Sequence, residues 1–538
     1  MAKKYDVIVI GSGIGGMGSA ALLAKNFKQK VLVLEKAPFI GGRTLSFVFK
    51  GDKATVDGLE LDRQGFEQMW NYVSAWAFTP EGMPTLDEIF KKGLADGYTM
   101  DSGHGLFWGN KSRVACLLNY LGVPVDIPVN TGFAFVDYKR NKFYQIAKNQ
   151  PYQWMTPEGF KASMTQLRDM ATTDLGALPK LMNISLQQWL EEREMHPEAY
   201  DYIKNLAGSQ TANNVPAITP AGDFLGYQSI ARDIGMNLVD GSVGTISNPG
   251  ITAIPLAIEE SLIANGGEVW RNCPVEQVII EKQRVRGVSV RTKKGLETIY
   301  ADKIVCNVRP TQIFQFIHAR HFDQEWVKTI RKEFWSPGLL SAIIGLKRDV
   351  WQDKGIDERS FVYMPGCISK YEGFEGGAMD VVMWNMASSA GKSVARPSIC
   401  KESGRAPDGE RDFCFSLPQL DFEMQNPENV KRLTTFCEAW FKRTWRTWKD
   451  DMKFWIWTPA DRCYGDWRPV GKQRPDVISP WVDGLYFVGD QYGKRLWGGG
   501  VDGAALCATL CVDAMMNTFL EEEIFPPHHR GTPRPNTW

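Results

Sequence analysis

Tyr5-Asp6-Val7-Ile8-Val9-Ile10-Gly11-Ser12-Gly13-Ile14-Gly15-Gly16 decides the fold of this 538-residue chain. An apolar run leads without a break into a glycine-rich turn, and a second run, Lys30-Val31-Leu32-Val33-Leu34, ends on Glu35. The order predicts strand, tight turn, helix, strand and then a carboxylate, the opening unit of a dinucleotide-binding domain. Glycines are needed because the backbone must approach a pyrophosphate closely and the helix must pack on the strand. The phosphates belong at the helix N-terminus, where free N–H groups and the macrodipole favour negative charge. Gly11, Gly13, Ile14, Gly15 and Gly16 are the candidate contacts, with Glu35 accepting from a ribose hydroxyl and Lys36 beside it. A glycine turn of purely structural meaning is the alternative.

Gly41-Gly42-Arg43 comes soon after Glu35, and Gly484-Leu485-Tyr486-Phe487-Val488-Gly489-Asp490 stands near the other end, followed by Gly498-Gly499-Gly500-Val501-Asp502-Gly503-Ala504-Ala505. This set resembles the GR-type FAD enzymes (GR2 type) rather than NAD dehydrogenases. The resemblance implies that Gly42 and Arg43 face the FAD phosphates across the glycine loop. It also implies that Gly489 and Asp490 meet the phosphates and ribitol chain. A helix opening at Gly500 and Val501 and running to about Met516 would then point its N-terminus at the flavin ring, stabilising negative charge there.

The stretch from 248 to 310 adds to the likeness. Asn248-Pro249-Gly250 precedes a helix carrying Ile254, Ile258, Leu262 and Ile263; Cys273-Pro274-Val275-Glu276-Gln277-Val278-Ile279 alternates as a strand; Tyr300-Ala301-Asp302-Lys303-Ile304-Val305-Cys306-Asn307 closes the unit. Together with Tyr98-Thr99-Met100-Asp101-Ser102-Gly103-His104-Gly105 and Ala406-Pro407-Asp408-Gly409, these segments resemble phytoene-desaturase-like flavoproteins, within a superfamily shared with flavin amine oxidases. By that resemblance the backbone of Val275 holds the adenine. The segment around His104 comes late after Arg43, and Gln68-Met69-Trp70-Asn71-Tyr72 departs from the pattern, as a cover for the substrate site or a partner contact would.

The expected fold is therefore α/β. A Rossmann-like FAD-binding domain is built from residues 1–47, 96–110, 246–311 and 466–520. A mixed sheet with helices, the substrate-binding domain, takes 48–95, 111–245 and 312–465, and 521–538 form a surface tail. Asn426 as N-cap and Pro427 in the first turn predict one helix of the second domain, with Val430, Leu433, Cys437, Trp440 and Phe441 on its stripe.

Composition narrows the function classes. With 62 basic and 62 acidic residues the net charge is zero, so no nucleic-acid partner is expected. The 19 Trp and 28 Phe suit an aromatic-walled cavity as well as a core. Ten cysteines occur without a CxxC pair, so neither a zinc site nor a disulfide framework is encoded, and Cys507 and Cys511 read as small apolar packing. The first strand starts at residue 5 and no run of roughly 18 apolar residues exists, which predicts a cytoplasmic protein with no transmembrane segment. Lys442-Arg443-Thr444-Trp445-Arg446-Thr447-Trp448-Lys449 reads as a solvated basic face with tryptophans turned inward. The desaturase resemblance offers peripheral contact with the inner face of a membrane instead.

Hydride transfer to flavin asks the protein for orientation and desolvation more than for acids and bases. Candidates over the ring are Tyr464, which with Cys463 resembles the Cys-Tyr pair of monoamine oxidases, Lys494 and Arg495 in the loop after Asp490, and His104. Amine oxidases carry an aromatic cage wall at the position aligned with Gly500. Its absence points to the expected reaction, C=C-forming dehydrogenation of an apolar cyclic or isoprenoid substrate. Amine oxidation, a flavin-dependent isomerase or saturase, and a prenyl carrier like the GDP-dissociation inhibitors are the alternatives. The electron acceptor (oxygen, quinone or protein) and the oligomeric state stay open.

Overall fold

The computed structural model describes residues 4–102, 108–129, 132–146, 152–211, 215–233, 244–358, 360–368, 379–385, 404–463 and 468–533. The opening strand Lys4–Ile10 lies at the centre of a seven-stranded sheet. It pairs in parallel with Val31–Leu34 on one side, Val7 opposite Val31, and with Gly295–Cys306 on the other, Ile8 opposite Ile304. Glu268–Trp270 closes one edge beside Val31–Leu34. On the far side of Gly295–Cys306, its first half pairs with Arg284–Thr292 and its last residues with Leu485–Phe487. The two ends of the chain thus meet in one sheet. Parallel strands covered by helices bury both faces, which is why Val7, Ile8, Val9, Val31, Leu32 and Val33 read as unbroken apolar runs and are wholly buried.

Helices covering this sheet include Ile14–Phe27 (the nucleotide helix), Arg113–Leu121, Ala253–Ala264 and Gly500–Met516 (the closing helix). Gly18 permits the closest approach, since a Cβ there would stand 3.1 Å from that of Ala508 on the closing helix. Cys507 and Cys511 are fully buried, and burial pushes the Cys507 thiol up to about 12, so both stay protonated packing groups.

A second seven-stranded sheet runs in the order Met452–Ala460, Pro337–Leu346, Arg411–Leu420, Met379–Asn385, Ser360–Ile368, Gly132–Asp137 and Lys142–Gln145. Its side chains alternate between two apolar layers, as the strand period of two requires. Phe361, Tyr363, Cys414, Phe454 and Ile456 face one layer, toward the cavity described below. Val362, Met364, Phe413, Phe415, Trp455 and Trp457 face the other, against the helix Pro427–Thr444. That helix starts as expected, with the Asn426 side chain accepting from Glu428 N at 3.1 Å. Trp351, Trp440 and Trp445 complete this back layer, so the tryptophans serve mainly as core. Trp445 points inward, its Nε1 donating to Val350 O at 2.9 Å.

The packing redraws three of the expected boundaries. Val114, Leu117, Leu118, Leu121 and Ile127, assigned to the substrate domain, belong to the core of the nucleotide-binding sheet. So do Ile313, Ile317 and Val327. The expected surface tail is docked through residue 533: Glu521, His529 and Thr532 are buried, and Leu520–Ile524 forms a short helix. Prolines and charges there suggest an exposed segment, but its carbonyls accept from buried arginine and tryptophan donors.

Candidate active site

The nucleotide helix starts at Ile14 with Gly13 as N-cap and no side chain closing its first N–H groups, which leaves a site for negative charge. The turn before it has no room for a Cβ. One on Gly13 would stand 2.6 Å from Asn307 Nδ2, and one on Gly16 would stand 2.4 Å from Gly11 O. Glu35 braces the turn: its Oε2 accepts from Ser12 N at 2.9 Å and Ser12 Oγ at 2.6 Å, and its Oε1 from Ala37 N at 2.8 Å. A carboxylate offers about four acceptor positions, and Glu35 also lines the cavity.

The motifs from the two ends of the chain meet here. A Cβ on Gly15 would stand 3.0 Å from Gly489 N, and Arg43 Nη2 lies 3.9 Å from Asp490 Oδ1. Asp490 Oδ2 accepts from Gly500 N at 3.0 Å, fixing the first turn of the closing helix. The two preceding N–H groups are held from the other unit by the helix Ala221–Asp233 (the wall helix). Gly498 N donates to Asp223 Oδ1 at 3.1 Å, and Gly499 N to the Tyr227 hydroxyl at 2.6 Å. Three successive backbone donors are thus satisfied by three side chains.

A cavity of about 980 Å³ runs past these groups. One end is lined by Glu35, Lys36, Pro274, Val275 and Phe316. The middle holds Gly11, Gly13, Gly42, Arg43, Gly489, Asp490, Gly500 and Val501. The other end is walled by Tyr72, Phe133, Tyr152, Phe361, Tyr363 and Met164, with Arg168 and Arg232 as its charged lining. Every expected cofactor contact except Gly16 therefore lines one cavity. Gly16 sits behind it, where the missing side chain lets the helix meet Gly11.

The expected catalytic groups fare differently. Lys494 is exposed, its Nζ 3.5 Å from Asp476 Oδ2, and Arg495 is tied to Glu521 at 2.7 and 3.0 Å and to Thr532 O at 2.6 Å. Neither lines the cavity, which corrects the expectation. Their loop turns Tyr492, Leu496 and Trp497 inward, Lys494 to the surface and Arg495 toward the buried Glu521. Cys463 lines the cavity, whereas His104 and Tyr464 lie outside the described residues. Tyr72, in the stretch read as a cover for the substrate site, lines the cavity, whereas sequence reading missed Asn307 as a wall of the glycine turn and missed Asp223, Tyr227, Phe133, Tyr152, Phe361 and Tyr363. Only Asn307 carried a signal, as the last residue of a quoted motif.

Comparison with known proteins follows the same lines. Residues 9–74 match the NAD(P)-binding Rossmann-like domain, and residues 89–516 match the flavin-containing amine oxidoreductases. An uncharacterized protein of Methanocaldococcus jannaschii is 39% identical over 57 residues, 11% of this chain and 14% of that relative's length. Among solved structures, an oxidoreductase from Methanosarcina mazei is similar at a TM-score of 0.60 and 18% identity, covering 95% of this chain and 100% of that one. Cyclohexylamine oxidase from Brevibacterium oxydans gives 0.56 and 15%, covering 95% and 99%. Rab GDI from Plasmodium falciparum gives 0.54 and 12%, covering 96% and 99%.

The cofactor is FAD, and the residues present fit it. The glycine turn forms a cradle that Cβ atoms would fill, and Arg43 Nη1 is buried beside it without a hydrogen-bond partner among the described residues. The match over residues 89–516 takes in most of the sequence, from the helix Leu86–Lys91 to the end of the closing helix. The chain belongs to the flavin-containing amine oxidoreductase family.

Proposed function

We propose that this FAD-dependent oxidoreductase dehydrogenates an apolar substrate, forming a C=C bond. The chamber carries the reading. Its walls are Tyr72, Phe133, Tyr152, Phe361, Tyr363 and Met164 and its charged lining is Arg168 and Arg232, while the carboxylates of the same cavity, Glu35, Asp490 and Asp502, belong to the cofactor motifs. Such walls desolvate an apolar molecule, and the charged lining has the same sign as an ammonium group.

In this reading the first turn of the nucleotide helix, with Gly11, Gly13, Ile14 and Gly15, holds the pyrophosphate, and Arg43 and Asp490 flank it. Gly16 lets that helix pack close. Glu35, Lys36 and Val275 take the nucleotide end, and Gly500 and Val501 present the closing helix N-terminus to the ring. Bound FAD supplies the hydride acceptor. The protein's part is to orient the substrate, exclude water and neutralise charge.

Amine oxidation is the second reading, favoured by the family match over residues 89–516. Against it, Gly500 stands where amine oxidases place a cage wall, and its φ of 65° disfavours any side chain. The deciding experiment is anaerobic mixing of the purified holoprotein with single candidate reductants, read as loss of visible flavin absorbance. Bleaching by an apolar cyclic ketone or polyene and not by simple amines supports the proposal; the reverse overturns it. A colourless protein that takes up no FAD would favour a carrier.

A further inference from the structure

Behind the Gly498–Gly500 turn, among the described residues, two buried guanidinium groups share the buried carboxylate of Asp223. Asp223 is 0% exposed, Arg468 5% and Arg474 7%. Arg474 Nη1 donates to Asp490 O at 2.8 Å; its Nη2 donates to Gly498 O at 2.7 Å and Asp223 Oδ1 at 3.1 Å. Arg468 Nη2 is 3.5 Å from Asp223 Oδ2, and it also meets the uncharged sulfur of Met182 at 2.8 Å. The triad therefore carries one positive charge in excess.

Among the described residues the other nearby carboxylates face cations of their own, Asp476 lying 3.5 Å from Lys494 Nζ. Arg43 faces Asp490, and the largest favourable charge acting on Arg113 is Asp502. Burial pulls Arg468 down to about 10, which leaves it charged at neutral pH. Burying an uncompensated cation is costly unless a nearby group gains negative charge. The turn this triad supports opens the closing helix, whose first residues line the cavity.

We propose that the Arg468–Asp223–Arg474 triad raises the reduction potential of the bound FAD by holding a surplus positive charge behind the Gly498–Gly500 turn. A ring system that gains negative charge on reduction is stabilised by a fixed cation in a low-dielectric surrounding. These three are tuning residues. Asp223 and Arg474 also position the turn, while Arg468 touches neither the turn nor Asp490 in any of its hydrogen bonds and acts through charge. The inference needs bound FAD but not the substrate reading.

Dye-equilibrated reduction of the holoprotein, with no substrate present, tests it separately from the proposed reaction. Arg468→Met should lower the reduced-to-oxidised ratio at a fixed dye potential by tenfold or more, about 30 mV for a two-electron couple. Asp223→Asn, which keeps an oxygen for Gly498 N while adding net positive charge, should shift the ratio the opposite way. Arg468→Lys should restore the wild-type ratio. Shifts of the same sign in Arg468→Met and Asp223→Asn, or none in either, overturn the proposal. So does loss of FAD from both variants, since the triad would then be structural.

Discussion

The guanidinium carbon of Arg113 lies 4.0 Å from the ring centre of Trp497, and both side chains are buried beneath the C-terminal segment. Arg113 Nε donates to His529 O at 2.7 Å, Trp497 Nε1 to Arg530 O at 2.9 Å, and Arg495 Nε to Thr532 O at 2.6 Å. Trp497 in turn packs on the wall helix, where a Cβ on Gly226 would stand 2.4 Å from its ring. The tail thus locks the loop between Asp490 and the closing helix.

Ending the chain after Pro526 removes all three acceptors. Each buried donor left without a partner costs about 1–3 kcal/mol, so the truncated protein should lose several kcal/mol and melt at a clearly lower temperature. Calorimetric melting of holoprotein and truncated form checks this. An unchanged Tm would mean that the docked tail contributes nothing.

His529 introduces a pH dependence of its own. It is fully buried, neither ring nitrogen has a hydrogen-bond partner among the described residues, and burial first, then Arg113, depresses it to about 2. The folded protein therefore keeps it neutral while the unfolded chain protonates it near its usual 6.5. Its contribution is complete above about pH 6.5 and is lost as the pH falls toward 2, at about 1.4 kcal/mol per pH unit. Urea unfolding at pH 7 and pH 5.5 should show wild type losing more stability than His529→Leu. Equal losses would refute it.

Asn307 and Gly13 should behave as a coupled pair. Gly13→Ala meets the Asn307 side chain, whereas Gly16→Ala meets the backbone oxygen of Gly11. A second change, Asn307→Ala, should therefore return FAD binding to Gly13→Ala and leave Gly16→Ala flavin-free. Flavin absorbance per protein after gel filtration measures both. Rescue of Gly16→Ala would contradict the backbone clash.

Arg405 is the riskiest buried cation to remove. It is wholly inaccessible, with Nη2 3.1 Å from Asp101 Oδ2 and Nε 3.5 Å from Asp412 Oδ2, and it donates to Ile246 O at 2.9 Å and Thr99 O at 3.1 Å. Burial already pushes the Asp101 carboxyl up, and Arg405 opposes that. Arg405→Met removes the buried cation that faces Asp101 and Asp412 and should destabilise by about 3–5 kcal/mol, with Asp101→Asn in the same chain recovering part of the loss. Denaturant midpoints decide, and a change below about 1 kcal/mol would show the pairing to be dispensable.

The nucleotide half was legible because its determinants are local. Gly11 to Gly16 and the runs around them state strand, turn and helix within one window, and the closing helix ends at Met516 as its pattern predicts. Asn426 and Pro427 announced their helix for the same reason. Lys494 and Arg495 misled because proximity in sequence to Asp490 does not say which way a loop residue turns.

Residue order alone determined the dinucleotide turn, since backbone geometry and phosphate chemistry admit few substitutes there, and the resemblance of its two distant signatures to GR-type flavoproteins implied FAD over a nicotinamide. Only the tertiary structure decided what surrounds the ring. Asp223 and Tyr227 on the wall helix meet Arg468 and Arg474 from a distant stretch of chain, and Phe133, Tyr152, Phe361 and Tyr363 become one wall only when the second sheet folds against that helix. Burial and charge at such a site are sums over neighbours far apart in the chain, and no local pattern encodes a sum of that kind.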